Sequence, residues 1–243
     1  MLDIMAPALL AGTLIVLTHA PLGLIVLKRG IIFMDLAIAQ LAGLGLIMTG
    51  LVSHNSLVIQ AGALASACLG AGLFHQIEKK HPAHQEAFIG VSFVVAVAIL
   101  TLLMATHPMG SEMTHHLLSG NILFITWDTL LYHAPVYVVI GYLCWRGYHR
   151  RFFYGLFAIA ITSSVQLVGV YVVFASLILP ALAATVSPAH ALKTAWLSGI
   201  ISVITGLSLS VITGFPAGPV LVLAFTAVTL VLLTVKKRGS IIT

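Results

Sequence analysis

Long apolar stretches alternate with short polar ones along the whole chain. Nine apolar segments occur at about 5–27, 31–52, 57–74, 87–106, 128–145, 153–168, 169–187, 194–212 and 220–235. Most are close to the length of about 20 residues that a helix needs to cross a bilayer. The pattern predicts an all-α membrane protein, a polytopic bundle of about eight to nine transmembrane helices. We expect residues 1–243 to form a single transmembrane domain.

The basic residues fix the expected orientation. All eleven Lys and Arg residues lie between apolar segments, in the clusters Lys28-Arg29, Lys79-Lys80, Arg146/Arg150/Arg151, Lys193 and Lys236-Lys237-Arg238. Basic loops face the cytoplasm. The stretch 153–187 is too long for one ordinary helix and short for two, but two crossings with a turn near 166–169 put all five clusters inside. The N-terminus is then predicted to lie outside.

Composition narrows the class of protein. Hydrophobic residues make up 60% of the chain and charged residues 7%, whereas a soluble domain carries roughly 25% charged residues. The net charge of +5 comes from small scattered groups, so it indicates cytoplasmic loops of a membrane protein and no nucleic-acid partner. Cys68 and Cys144 lie in separate apolar segments and indicate neither a disulfide framework nor a thiolate metal site.

Asp35 is the most informative single residue. It lies near the start of the second apolar segment, between Met34 and Leu36. A carboxylate there is costly unless it faces a cavity, a cation or a partner, so it is a candidate for function by default. The alternative is an interfacial carboxylate paired with Lys28 or Arg29.

Two further polar residues lie within predicted helices. Gln40 follows Asp35 by five residues, about 140° around a regular helix, so the two converge on one ion only if the helix bends. A structural hydrogen bond between helices is an equal alternative for Gln40. His19, two residues before Pro21, is either a ligand on the path of an ion or a partner of a carbonyl that the proline leaves free.

The loops carry the remaining candidate ligands. In the outer loop, Glu112 has the helical three- and four-residue spacing to His115 and His116, and His107 lies nearby. Imidazole and carboxylate suit zinc, manganese or iron; an interfacial turn with incidental histidines is the alternative. On the inner side, His75, His81 and His84 surround Glu78, Lys79, Lys80 and Glu86, which favours a solvated loop that contacts a soluble partner over a metal site.

Several catalytic motifs are absent from the sequence. It has no G-x-x-x-x-G-K-[ST] and not one Gly-Lys pair, so the chain does not bind ATP through a P-loop. It also lacks H-E-x-x-H and a G-x-S-x-G elbow. We therefore expect a protein that is not an enzyme.

Five stretches, in order over most of the chain, carry a resemblance to a known family. They are GLIVLKRGIIFMDLAIAQLAGLGL (Gly23–Leu46), EAFIGVSFVVAVAILTLLM (Glu86–Met104), LLSGNILFITWDTL (Leu117–Leu130), VGVYVVFASLILPALAA (Val168–Ala184) and GFPAGPVLVL (Gly214–Leu223). The chain resembles the ABC-3 family of membrane permeases of bacterial importers for zinc, manganese and related metals. The fourth stretch, with its Val-Gly start and Pro-Ala end, is similar to the most specific signature of that family.

The resemblance implies a type II ABC importer fold and a homodimer in a bacterial inner membrane, with the metal path at the dimer interface. It also implies two cytoplasmic P-loop ATPase subunits, a periplasmic or lipid-anchored metal-binding protein, and a divalent metal ion as substrate rather than a resident cofactor. Asp35 matches the family's acidic residue in the second helix. Where zinc and manganese members carry His four residues later, this chain has Ala39.

A second departure concerns the contact with the ATPase. The cytoplasmic stretch before Val168 is shorter than in the family, so the contact falls to Arg146, Arg150 and Arg151. The leading hypothesis is a permease of an ATP-driven metal importer. The main alternative is an ATP-independent secondary transporter or channel for a cation or small solute, and a third is an accessory or enzymatic membrane protein.

Overall fold

Eight long helices make up most of the part of the chain that the structure describes. This computed structural model describes residues 2–105, 118, 120, 122–148 and 152–239. The helices are α1 (Leu2–Arg29), α2 (Met34–Val52), α3 (Ser56–Lys80), α4 (Gln85–Ala105), α5 (Trp127–Trp145), α6 (Phe153–Ala183), α7 (Ala191–Thr213) and α8 (Ala217–Gly239). Short 3-10 turns precede α4 and α7. The described residues contain no strand, and the protein is all-α as the sequence predicts.

The helix α6 is folded back on itself at Gly169. Gly169 has φ 77° and ψ 164°, which is outside the helical region. Ser164 and Ser176 lie on either side of this break, and both contact the same imidazole, that of His19, at 3.1 and 2.8 Å. Along a straight α-helix, two positions twelve residues apart would be separated by about 18 Å. Residues 153–168 and 170–183 are therefore two short antiparallel helices, and the turn predicted near 166–169 is present.

A substitution at Gly169 tests this turn. Its backbone angles lie in a region that is essentially restricted to glycine, so we expect Gly169→Ala to destabilise the protein by about 1–3 kcal/mol. Thermal unfolding in detergent measures the loss. Gly72→Ala is the matched control, because Gly72 is helical and a Cβ there meets nothing within 4 Å. Equal unfolding temperatures for the two variants would contradict the assigned turn.

One end of the bundle gathers the basic residues. Arg29, at the end of α1, forms an ion pair with Glu78 near the end of α3 at 2.8 Å. Its guanidinium lies 4.7 Å from the ring centre of Phe153, at the start of α6. Just after the C-terminal end of α6, the carbonyl of Thr185 accepts a hydrogen bond from Lys236 Nζ at 2.9 Å. Both halves of α6 thus have their free ends at this end of the bundle.

The remaining clusters reach the same end. A cavity of about 810 Å³ there is lined by Lys28 and Arg29 of α1, by Trp145 beside Arg146, and by Leu192 beside Lys193. Lys79 and Lys80 follow Glu78 in α3. Described residues of all five clusters therefore lie at one end of the bundle, called the basic end below. This is the arrangement that a common cytoplasmic face requires.

Membrane-spanning character is clear from length and composition. Within the described residues, seven helical stretches are long and apolar enough to cross a membrane, and α6 is counted once among them. Helix α5 is not one of the seven. It nevertheless runs from beside Ser163 of α6 to the basic end. When the two halves of α6 are counted separately, the eight described helices make nine passes through the bundle. This agrees with the nine predicted apolar segments.

The predicted boundaries need one correction. The third apolar segment was expected to end at 74, with His75 and Glu78 in a solvated loop, but α3 continues as a helix to Lys80. Tertiary contacts explain the extension. Glu78 pairs with Arg29, and the ring of His75 lies 4.9 Å from that of Tyr154. Packing against α1 and α6 thus keeps the polar end of α3 helical.

Small residues allow α2 and α3 to pack closely. A Cβ on Gly45 of α2 would clash with the carbonyl of Gly62 and with Ser66 in α3, and a Cβ on Gly62 would clash with Thr49. The small residues Gly62, Ser66 and Gly70 recur at four-residue spacing in α3, and this spacing is typical of packed transmembrane helices. The close contact leaves α2 central in the bundle and buries its first turn, where Asp35 lies.

Candidate functional site

Asp35 is a buried carboxylate without a side-chain or ionic partner. It lies in the first turn of α2 and is 1% exposed. Neither Oδ1 nor Oδ2 has a hydrogen-bond partner. Of the two predicted partners, Arg29 is bonded to Glu78 instead, and Lys28 lines the cavity at the basic end. The interfacial ion pair that the sequence left open is therefore not formed.

Glu86 is a second carboxylate at the start of α2, the helix end at which Asp35 lies. Its Oε1 accepts a hydrogen bond from the backbone N–H of Phe33 at 3.1 Å, which places it at the N-terminus of α2. Its Oε2 is buried and has no partner. Two carboxylates thus leave three buried oxygens unbonded at one helix end.

The three unbonded oxygens of Asp35 and Glu86 could contribute to a cation site. Carboxylate oxygens bind hard divalent cations such as manganese, and the α2 N-terminus adds only a partial positive charge. Among the described residues, no group of three or more His, Cys, Asp or Glu side chains could hold a metal ion. The described part of one subunit therefore offers two carboxylates to a cation and no complete cage.

Gln40 lies in different surroundings from Asp35. With Leu36, it lines an apolar cavity of about 810 Å³ between α2, α4, the second half of α6 and α8. Thr101, Tyr171 and Thr226 add the other polar groups of this cavity. Asp35 is not among its lining residues. The two side chains diverge as their spacing on a regular helix predicts.

His19 is bonded through both ring nitrogens. It is 0% exposed, with Nδ1 2.8 Å from Ser176 Oγ and Nε2 3.1 Å from Ser164 Oγ. The sequence suggested a carbonyl freed by Pro21 as the alternative partner, whereas the actual partners are two serine hydroxyls. No ring nitrogen remains open to an ion, so His19 serves to connect α1 with both halves of α6.

The other predicted residues divide into two groups. His107, Glu112, His115, His116, Arg150 and Arg151 lie outside the described residues. Arg146 is at the basic end, where its Nε donates to Tyr142 Oη at 3.0 Å and its guanidinium lies over the rings of Tyr142 and Trp145. That placement leaves it exposed at the face where a cytoplasmic partner would bind.

Sequence reasoning missed several polar residues that the fold brings together. Glu86 was seen only as part of a loop and a family stretch, although the acidic residue before an apolar helix was a usable signal. A buried hydrogen-bonded chain joins His19 to His133 through three helices. Nothing in the local sequence indicates it, since its contacts join residues 26 to 145 positions apart.

The comparisons with known proteins agree with this architecture. The ABC 3 transport family matches residues 1–153 and 147–236, so the chain belongs to this family of membrane transport proteins. A search of curated proteins gave no match. The family assignment confirms the resemblance seen in the sequence but names no metal.

Two solved structures share the fold. The structure of PsaBC from Streptococcus pneumoniae in complex with Fab has 18% sequence identity and a TM-score of 0.77, covering 94% of this chain and 90% of that one. An inward-facing conformation of a metal-chelate type ABC transporter has 15% identity and a TM-score of 0.66, covering 94% of this chain and 85% of that one. The chain therefore shares its fold with these two structures.

Proposed function

We propose that this chain is the membrane-spanning permease subunit of an ATP-driven importer of a divalent metal ion. Family membership and the fold shared with PsaBC support transport. The observation that supports a metal ion as the substrate is Asp35. It is a buried carboxylate with no bonded partner, and it matches the acidic residue in the second helix of the family that the chain resembles. A carboxylate buried in an apolar bundle is costly and is a functional-site hypothesis by default, and a transported cation would supply the partner that Asp35 lacks.

The proposal includes the assembly in which the chain works. Residues 1–243 form one transmembrane domain that pairs with a second copy in a bacterial inner membrane. Two cytoplasmic P-loop ATPases hydrolyse ATP, since the chain has no P-loop of its own. A periplasmic or lipid-anchored binding protein delivers the metal. The chain carries no resident cofactor and has no nucleic-acid partner.

The path runs from the outer loop to the basic end. The metal arrives near Glu112, His115 and His116 and then passes Asp35. The ATPase binds at the basic end, where Arg146, Arg150 and Arg151 follow α5. The exposed position of Arg146 at that end supports this orientation.

The ligands at the N-terminus of α2 favour manganese over zinc and iron as the substrate. Asp35 and Glu86 offer oxygens only, and Ala39 stands where an imidazole would add nitrogen. Carboxylates suit manganese, whereas imidazole suits zinc and iron. The absence of the histidine thus shifts the preference towards the harder ions.

Metal accumulation in a deletion strain tests the function. We expect cells without the gene to accumulate less manganese, and a plasmid copy to restore uptake. Restoration should fail when the partner ATPase carries a substitution of its P-loop lysine. Metal content is measured by mass spectrometry. Uptake that persists with the inactive ATPase would instead support the secondary transporter or channel.

A further inference from the structure

The cavity of about 810 Å³ at the basic end is a groove between α1, α5 and α7. Its volume lies within the range of about 300–1,000 Å³ that is typical of ligand sites. Apart from Lys28 and Arg29, the residues that line it are uncharged, and most of them are apolar. Two of these residues, Leu17 and Trp145, are 38% and 80% exposed. The groove therefore opens on the surface of the bundle.

A proline in α1 helps to form the groove. Pro21 lies inside α1 and has no backbone N–H, so the carbonyl of Leu17, one turn earlier, lacks its usual partner in the helix. Trp196 Nε1 of α7 donates to this carbonyl at 3.1 Å. The hydrogen bond satisfies the carbonyl and fixes the indole of Trp196 in the wall of the groove.

Lys28 gives the groove an unbalanced positive charge. Its side chain is exposed. The ion pairs among the described residues are Arg29–Glu78 and His75–Glu78, and Lys28 takes part in neither. Arg29 also lines the groove, but its guanidinium is bonded to Glu78 at 2.8 Å. Lys28 is therefore the cation of the groove that is left for an anionic ligand.

The position of the groove fits a lipid of the surrounding membrane. The basic end is the expected cytoplasmic face, and the cytoplasmic leaflet carries anionic lipids. Basic pockets between transmembrane helices on that side bind anionic lipid head groups. Tryptophan is enriched at the level of the head groups, and Trp145 and Trp196 both line the groove. A soluble anion, in contrast, would leave the apolar wall of the groove without a partner.

A second copy of the chain is a poorer occupant for reasons of charge. Two copies that cross one membrane in the same orientation have their basic ends at the same depth. Arg146 and Lys193 follow the lining residues Trp145 and Leu192, and both are exposed. The second copy would therefore bring further cations towards Lys28, and like charges repel each other.

We propose that the groove between α1, α5 and α7 binds an anionic glycerophospholipid of the cytoplasmic leaflet. The ammonium group of Lys28 contacts the lipid phosphate, and an acyl chain lies in the apolar part of the groove against Gly141 of α5. Gly141 leaves room for the chain, because a Cβ there would meet nothing within 4 Å. Asp35 does not line the groove, so the site goes beyond the proposed function. The bound lipid connects three helices at the basic end.

Quenching of tryptophan fluorescence by brominated lipids tests the charge of the site in the full-length chain. Trp127→Phe removes the one tryptophan that does not line the groove, and all samples carry it. In detergent micelles, we expect phosphatidylglycerol to reach half-maximal quenching at an about fivefold lower mole fraction than phosphatidylcholine with the same chains, the contribution of one basic residue. Lys28→Gln should remove this difference. An equal response to the two lipids before the lysine is changed would overturn the proposal.

Lys80→Gln is the matched control for the charge. Lys80 is exposed at the basic end but does not line the groove, so the preference for phosphatidylglycerol should persist. Loss of the preference in both lysine variants would mean that lipid responds to the net charge alone, and the site would be wrong. Lys28→Gln breaks no hydrogen bond or ion pair among the described residues, so we expect its unfolding temperature to match that of the parent.

Substitutions at two glycines test the place of the acyl chain. Gly141→Phe fills the groove, and we expect it to abolish saturable quenching without lowering the unfolding temperature. Gly72→Phe is its control, because Gly72 is helical, lies outside the groove and offers the same free space to a Cβ. Saturable quenching that persists in Gly141→Phe would show that the tryptophans contact only bulk lipid, which contradicts the proposal. Should Gly141→Phe fail to fold, Lys28→Gln still decides the question.

The two rejected occupants would give different results. Inorganic phosphate at matched ionic strength should not displace phosphatidylglycerol, and specific displacement would assign Lys28 to a soluble anion. If a second copy covered the groove, neither lipid would quench in a saturable way, and Gly141→Phe would convert dimers to monomers in size-exclusion chromatography with light scattering. Either result would overturn the lipid site.

Discussion

Asp35→Asn is expected to abolish metal uptake while the protein remains at least as stable as the wild type. Asparagine keeps the shape of the side chain but removes the charge that attracts a cation. Neither carboxylate oxygen of Asp35 has a protein partner, so the substitution breaks no such bond. Removing a buried unpaired charge should leave the free energy of unfolding equal or raise it. Cellular metal content and thermal unfolding in detergent measure the two effects.

The combination of lost transport and retained stability separates a functional carboxylate from a structural one. Asp128→Asn is the matched control, because Asp128 is exposed in the first turn of α5, and we expect it to transport normally. Glu86→Gln keeps an acceptor for Phe33 N–H and should give a smaller loss of uptake. Wild-type uptake by Asp35→Asn would remove Asp35 from the path and direct attention to the cavity at Gln40.

The helices and their orientation could be predicted because the signals are local. Each apolar segment and each basic cluster can be recognised within a short stretch of sequence. The described members of all five clusters lie at one end of the bundle. Even the turn inside α6 followed from charge, since only a folded-back helix puts Arg146 and Lys193 on the same side. The extension of α3 to Lys80 was missed because it depends on Arg29 and Tyr154, which are distant in sequence.

The candidate site was only partly predictable, because its contacts are long-range. Asp35 could be singled out from its apolar neighbours alone. Its lack of a partner could not, since the sequence does not show that Glu78 takes Arg29. His133 gave no signal at all, because its partner Ser163 lies 30 residues away on another helix.

His19→Ala is expected to cause the largest loss of stability among single substitutions in the buried polar chain. The side chain is 0% exposed, so its removal leaves a cavity and takes a partner from both Ser164 and Ser176. We expect a loss of about 3 kcal/mol, which corresponds to roughly 6–12 °C in unfolding temperature for a protein of this size. The control His54→Ala, at an exposed position, should change the temperature little.

Part of the stability lost in His19→Ala should depend on Ser164 and Ser176, because His19 connects the two halves of α6 on either side of Gly169. Ser164→Ala and Ser176→Ala each remove one contact of the imidazole. In a double-mutant cycle, each should therefore couple to His19→Ala by about 0.5–3 kcal/mol. Additive effects would mean that the imidazole only fills space. A measured coupling to both serines would show that the folded-back α6 is stabilised by hydrogen bonds to α1.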